Sequence, residues 1–272
     1  LLYVGGQILY GTLTDYQPPE KEALPVAGDP SGIIDSGDLT FYIWNIGYAG
    51  LGAESDFFLD GGSMTRSSRA LTDKNLEGIR KEIGSWTDAD FILLQEVDVG
   101  VPRSRGVNLA ETLAYMTGYP HYAIGLNVKL KKGMYGNATL SRFPVVETKN
   151  IDLTIEKNKA RGCLYTEFSF PSRRQCERTL PVFNLHLGLS FRERPRQLGL
   201  VVRSPEFKAL GDSDPCIIAG DFNDLRKRLA PMLTEILGFE SDKRLRLVAV
   251  SADLVTGAAA NVIHLFTERH AA

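Results

Sequence analysis

Cysteine is scarce in this chain, with three in 272 residues: Cys163, Cys176 and Cys216. No two of them are spaced like metal ligands, and an odd count excludes a fully paired disulfide framework. No apolar run approaches the roughly 20 residues needed to cross a hydrocarbon core. An excess of one charge is also lacking: 31 Lys and Arg stand against 33 Asp and Glu, a net charge of −2. Bulk electrostatics therefore draw the protein neither to nucleic acid nor to anionic lipid, and only local basic runs such as 192–196 remain as anion contacts. There is no internal repeat. No glycine-rich loop opens a helix, so a nucleotide-cofactor fold has no support.

What the chain does have is apolar material: 43% of its residues are hydrophobic and 24% charged. That suffices for a sizeable core and excludes a disordered chain. Residues 1–34 read as a tail or linker and 35–272 as the domain. Within the tail, the short apolar stretches 1–4 and 8–10 fit either an edge strand or the end of an upstream signal segment or membrane anchor. The Pro-rich, polar run 14–30 fits a linker.

Strand-like apolar runs occur at 39–44, 91–94, 138–140, 163–170, 180–187 and 216–219. Leu76, Ile79 and Ile83 mark one helix face, and Leu109, Leu113 and Met116 another. Residues 194–210, opening near Pro195, and 225–237 are further helical candidates. The stretches 151–170 and 180–187 read as neighbouring antiparallel strands. The sum is an α/β domain with mixed rather than strictly parallel sheets.

Four polar clusters follow apolar strands: Trp44-Asn45, Gln95-Glu96, Asn184-Leu185-His186 and Gly220-Asp221-Phe222-Asn223. Loops at strand C-termini are where α/β sheets usually meet ligands, so four such clusters predict one site. Glu96 and Asp221 offer hard anionic oxygens, Asn45 and Asn223 offer amides, and His186 offers an imidazole. A hard cation such as Mg²⁺ takes one or two carboxylates, water and substrate phosphate. No close Cys–His pair supports zinc. The set fits metal-assisted attack of water on a phosphate ester. Each residue also has a plainer reading: Asp221 and Asn223 as an Asx turn or helix cap, His186 as a structural histidine, Glu96 as a solvated strand end.

The ordered segments WN (44–45), LLQEVD (93–98), YGNATLSRFPV (135–145), FNLHLG (183–188) and GDFND (220–224) resemble the endonuclease/exonuclease/phosphatase superfamily of deoxyribonuclease-I-like phosphoesterases, and bacterial members most closely. The resemblance implies a four-layer αββα sandwich of two mixed sheets flanked by helices, using Mg²⁺ or, in substitution, Mn²⁺. It implies Glu96 as the main metal ligand with Asn45 beside it, and Asp221 as the residue that orients or deprotonates the attacking water. It further implies Asn223 and His186 on the phosphoryl oxygens, and Tyr135 or Asn137 lining the cleft. TDYQPP (14–19) resembles the segment that ends a membrane helix in some bacterial members, which favours a membrane-anchored or extracytoplasmic setting.

The pattern departs from the family near the C-terminus. Arg246 stands where the family carries an Asp. A terminal site histidine fits His270 by spacing, with Arg269 where an Asp would pair with it; His264 in 262–266 is the alternative. The family's final core strand would follow His270, and since the sequence stops two residues later that strand is expected either to be missing or to lie beyond the given sequence. Two functions therefore stand: a phosphoesterase acting on a lipid head group, nucleic acid or small phosphate ester, and a non-catalytic binding module whose site has decayed. No protein partner is predicted.

Overall fold

The computed structural model describes residues 38–50, 67–155, 160–171, 177–211, 216–224 and 261–266. The expected linker at 14–30, the helix at 225–237, and Arg246, Arg269 and His270 lie outside the described residues.

Among the described residues nine strands form two sheets. The strands are β1 (Asp38–Asn45), β2 (Phe91–Val99), β3 (His121–Lys129), β4 (Met134–Ser141), β5 (Val145–Asp152), β6 (Gly162–Pro171), β7 (Glu177–His186), β8 (Ile217–Asp221) and β9 (Asn261–Phe266). The first sheet runs β3-β4-β2-β1-β9 and the second β5-β6-β7-β8. Both are mixed: β1 and β2 are parallel, as are β7 and β8, while the other pairs are antiparallel. The parallel pairs put the C-terminal ends of their strands side by side, with Asn45 opposite Gln95 and His186 opposite Asp221.

Helices α1 (Arg69–Ser85) and α2 (Leu109–Thr117) cover the first sheet, while α3 (Arg194–Arg203) and the single turn α4 (Pro205–Lys208) belong with the second. Ser68 and Asn108 cap the backbone N–H groups that open α1 and α2, which an uncapped helix start would leave unpaired. Ile79, Ile83, Leu109 and Leu113 pack with Ile92, Leu94 and Leu140 on the outer face of the first sheet. Leu198 and Val201 of α3 pack with Phe183, Leu185 and Ile218 on the second. Between the sheets, Phe41, Ile43, Phe91 and Leu93 meet Phe168, Val182 and Ala219. Strand alternation explains the division: Phe91 and Leu93 face inward, Ile92 and Leu94 outward. This is the αββα sandwich, and strands buried on both faces are why FILL reads as an unbroken apolar run.

Three expectations change. Residues 151–170 are not one strand: β5 ends at Asp152, β6 starts at Gly162, and the two pair with Ile151 opposite Cys163. The helix at 194–210 breaks at Ser204, which is extended (φ −62, ψ 149) and caps the next turn through its hydroxyl. Pro205 causes this, since the residue before proline is pushed out of the helical region. Finally, β9 closes the edge of the first sheet against β1, with Asp38 opposite Phe266 and Thr40 opposite His264. Its direction carries the chain away from the Asn45 end, so His264 is not brought to that end.

Candidate active site

The interior is apolar at one end and amide-rich at the other. Gln95, Asn137 and Asn184 are all buried between the sheets. Gln95 Nε2 donates to Asn184 Oδ1 at 2.7 Å. Asn184 Nδ2 donates to Leu94 O at 3.2 Å and Ala138 O at 2.9 Å. Asn137 Nδ2 donates to Gly162 O and Asn184 O. These bonds tie the two sheets together directly beneath the strand ends.

Glu96 owes its direction to a β-bulge. Leu94 pairs with Ala138 and Val97 with Gly136, so Gln95 and Glu96 together oppose Asn137. The bulge sends Gln95 inward to Asn184 and leaves Glu96 in a left-handed conformation, φ +56. A non-glycine residue occupies that region at a cost of about 1–2 kcal/mol. Asn223 is also left-handed, φ +50, a conformation that Asn tolerates comparatively well.

The strand ends converge. Asn45 Nδ2 lies 2.9 Å from Asp221 Oδ2 and 3.3 Å from Glu96 Oε1, so one amide bridges two carboxylates. His186 Nε2 lies 3.9 Å from Glu96 Oε1 and 3.8 Å from Asp221 Oδ2. Burial and then the Arg161 charge push the His186 pKa down to about 3, so these contacts join carboxylates to a neutral imidazole. Burial raises the carboxyl pKa of both Glu96 and Asp221; the Asn45 bond and Arg161 oppose it. Asn223 N donates to Asp221 Oδ1, and its Nδ2 donates to Leu187 O at 2.8 Å. Tyr135 is half-buried beside Glu96, with its phenol pKa raised by burial and then by that carboxylate. Asn137 lies one layer deeper, as a brace between the sheets.

The donor set can be tested against a divalent cation. Among the described residues no three His, Cys, Asp or Glu side chains cluster as a metal cage. What stands there is a buried carboxylate, Asp221, and a partly buried one, Glu96, both with raised pKa values and sharing one amide nitrogen. That arrangement favours a hard positive charge between them and matches an ion that binds through few protein oxygens.

Several residues of this neighbourhood carry no sequence signal of their own. Arg161 Nε donates to Leu187 O at 3.1 Å and Nη1 to Ala160 O at 3.0 Å, and its charge acts on Glu96, Asp221, His186 and Tyr135. Buried Arg194 donates from Nη1 to both Leu189 O and Asn223 O at 2.9 Å, clamping the exits of β7 and β8 together. Gln197 accepts from Gly188 N at 2.8 Å and donates to Leu153 O at 3.1 Å. Across the site, Arg103 is bidentate to buried Asp98 at 2.8 and 2.9 Å, and its guanidinium stacks 3.5 Å from the Tyr48 ring centroid. Only basicity hints at the arginines; their partners are mostly carbonyls, which every residue has.

The model described as "Endonuclease/Exonuclease/phosphatase family" matches residues 43–229. The uncharacterized protein YbhP of Escherichia coli (strain K12) is 33% identical over 147 residues, 52% of this chain and 56% of that protein. The chain thus spans a little over half the length of the curated relatives it matches. The crystal structure of ANGEL2, a 2′,3′-cyclic phosphatase, superposes with a TM-score of 0.51 at 18% identity, covering 81% of this chain and 65% of that one. An endonuclease/exonuclease/phosphatase structure from Beutenbergia cavernae gives 0.49 at 20% identity, covering 68% and 47%.

Proposed function

The chain belongs to the endonuclease/exonuclease/phosphatase family, whose members hydrolyse phosphoester bonds, and on that premise we propose that it is a divalent-metal-dependent phosphoesterase attacking its substrate with water. The observation that carries the reading is the pair of carboxylates at the strand ends, partly buried Glu96 and buried Asp221, joined through the Asn45 amide at 3.3 and 2.9 Å.

Glu96 would hold Mg²⁺ or Mn²⁺ with Asn45 beside it; to join as a ligand Asn45 would turn towards the ion its Oδ1, which accepts from Gly47 N at 3.0 Å. A bound divalent ion supplies Lewis-acid polarisation of the phosphoryl oxygen and neutralises developing charge. Asp221 orients the attacking water and takes its proton; burial gives its carboxylate more basicity than an exposed one has, as a general base needs. Neutral His186 has one N–H to donate to a phosphoryl oxygen. Asn223 has a second amide hydrogen to donate, the first being held by Leu187 O. Arg161 adds a fixed positive charge on the same side and Tyr135 a phenolic wall. We assign His270 to the site by sequence pattern alone. A membrane-anchored or extracytoplasmic setting rests in the same way on TDYQPP (14–19); no helix among the described residues is long and apolar enough to cross a membrane.

The test is hydrolysis of bis-p-nitrophenyl phosphate with Mg²⁺ or Mn²⁺ and with chelator. Turnover should need the ion, and Glu96→Gln should lower it by roughly 100-fold or more, the scale of losing one strong electrostatic element from an active site. A folded protein without metal-stimulated turnover on diesters or monoesters would instead be the non-catalytic binding module.

A further inference from the structure

The segment leaving β7 forms one rim of this site and is built in an unusual way. It is rigid: Glu193 N and Arg194 N both donate to Ser190 O, Arg192 N donates to Ser190 Oγ, Gln197 holds Gly188 N, and Arg194 holds Leu189 O. Yet the two large apolar side chains on it are turned outward, Leu189 70% exposed and Phe191 49% exposed. Phe191 has the buried Arg194 guanidinium against its ring, 5.9 Å from the centroid. Arg192 and Arg196 stand exposed beside them. A soluble surface gains nothing from holding a leucine and a phenylalanine in water on a braced turn, and such placement marks an interaction site.

From this rim we infer that residues 189–196 dock the protein on an anionic lipid bilayer, with Leu189 and Phe191 entering the acyl boundary and Arg192 and Arg196 lying at the phosphates. Charge complementarity selects this occupant: apolar tips flanked by arginines match a surface whose own chemistry is phosphate above hydrocarbon. Position selects it as well. Leu189 is the third residue after His186, and Arg194 links its carbonyl to that of Asn223, so a bilayer at the rim faces the strand ends. Resting on the phosphoesterase reading, the substrate class is then a phosphoester presented at a membrane surface. The overall charge of −2 does not oppose this, because a surface-bound loop is governed by the charges within a Debye length.

Vesicle binding is measured with the full chain in chelator, so it does not depend on turnover. The wild type should float with vesicles of phosphatidylcholine containing phosphatidylglycerol and far less with phosphatidylcholine alone. Leu189→Ser with Phe191→Ser should weaken flotation by roughly tenfold or more, given the transfer energy of two large apolar side chains. The same variant should keep the wild-type rate on soluble bis-p-nitrophenyl phosphate and lose rate on a vesicle-borne phosphodiester. Tyr115→Ser with Met116→Ser, removing an exposed apolar pair on α2, should leave flotation unchanged. Wild type that does not float, flotation that survives the first double substitution, or equal loss from the second would each overturn the proposal. Failure of the phosphoesterase reading would show separately, as flotation without metal-dependent turnover.

Discussion

Tyr119 is buried where its hydroxyl donates to Ala89 O at 3.0 Å, and burial is the main cause of a pKa raised from 10.0 to about 12. The unfolded phenol gives up its proton at lower pH than the folded one, so its contribution is complete below pH 10 and is lost as pH rises towards 12. Urea unfolding midpoints should fall across that window, and Tyr119→Phe should fall less steeply. The thiols give a second residue-scale test. Burial pushes Cys216 up to about 12 and Cys163 well above the usual thiol range. In a Cys176→Ser background neither should react with Ellman's reagent at mildly alkaline pH until denaturant is added. Of the site, the anionic and amide side chains were legible, because each ends an apolar strand and few other reasons gather such groups there. Arg161, Arg194 and Gln197 were not. They work on carbonyl oxygens, and a carbonyl has no sequence signature.

At the scale of elements, helices with a clear 3.6-residue period and a polar cap were readable, and α1 and α2 are where the apolar spacing puts them. Asn108 Oδ1 accepts from Ala110 N and Glu111 N, so Asn108→Ala should cost about 1 kcal/mol in urea unfolding. The bulge that aims Glu96 was hidden, because it depends on how β2 aligns with β4. Gly136 stands at that register change, and a Cβ there would fall 1.8 Å from Gly125 O. Gly136→Ala should therefore destabilise by about 1–3 kcal/mol, the scale of overpacking a filled site. It should also weaken Mn²⁺ binding measured calorimetrically, since β4 sets the bulge.

Across the whole molecule, one seam of aromatic rings joins the sheets. Phe91 stacks on Phe41 at 4.5 Å and meets Phe168 edge-on at 4.8 Å. Phe91→Ala should cost about 3–5 kcal/mol by leaving a cavity between the layers, read as a lower urea midpoint with both sheets melting together. The site should then be lost in the same transition, because the residues that form it come from both sheets. The sequence by itself determined the composition of the layers, the order of the motifs and the chemistry of the strand ends, because these follow from local side-chain type and period. Only the tertiary structure decided that Asn45 and Asp221, 176 residues apart, share a hydrogen bond, that β9 closes the sheet beside β1, and which arginines serve the site. Those are relations between distant backbones, set by sheet register and layer packing, and no local stretch of sequence encodes them.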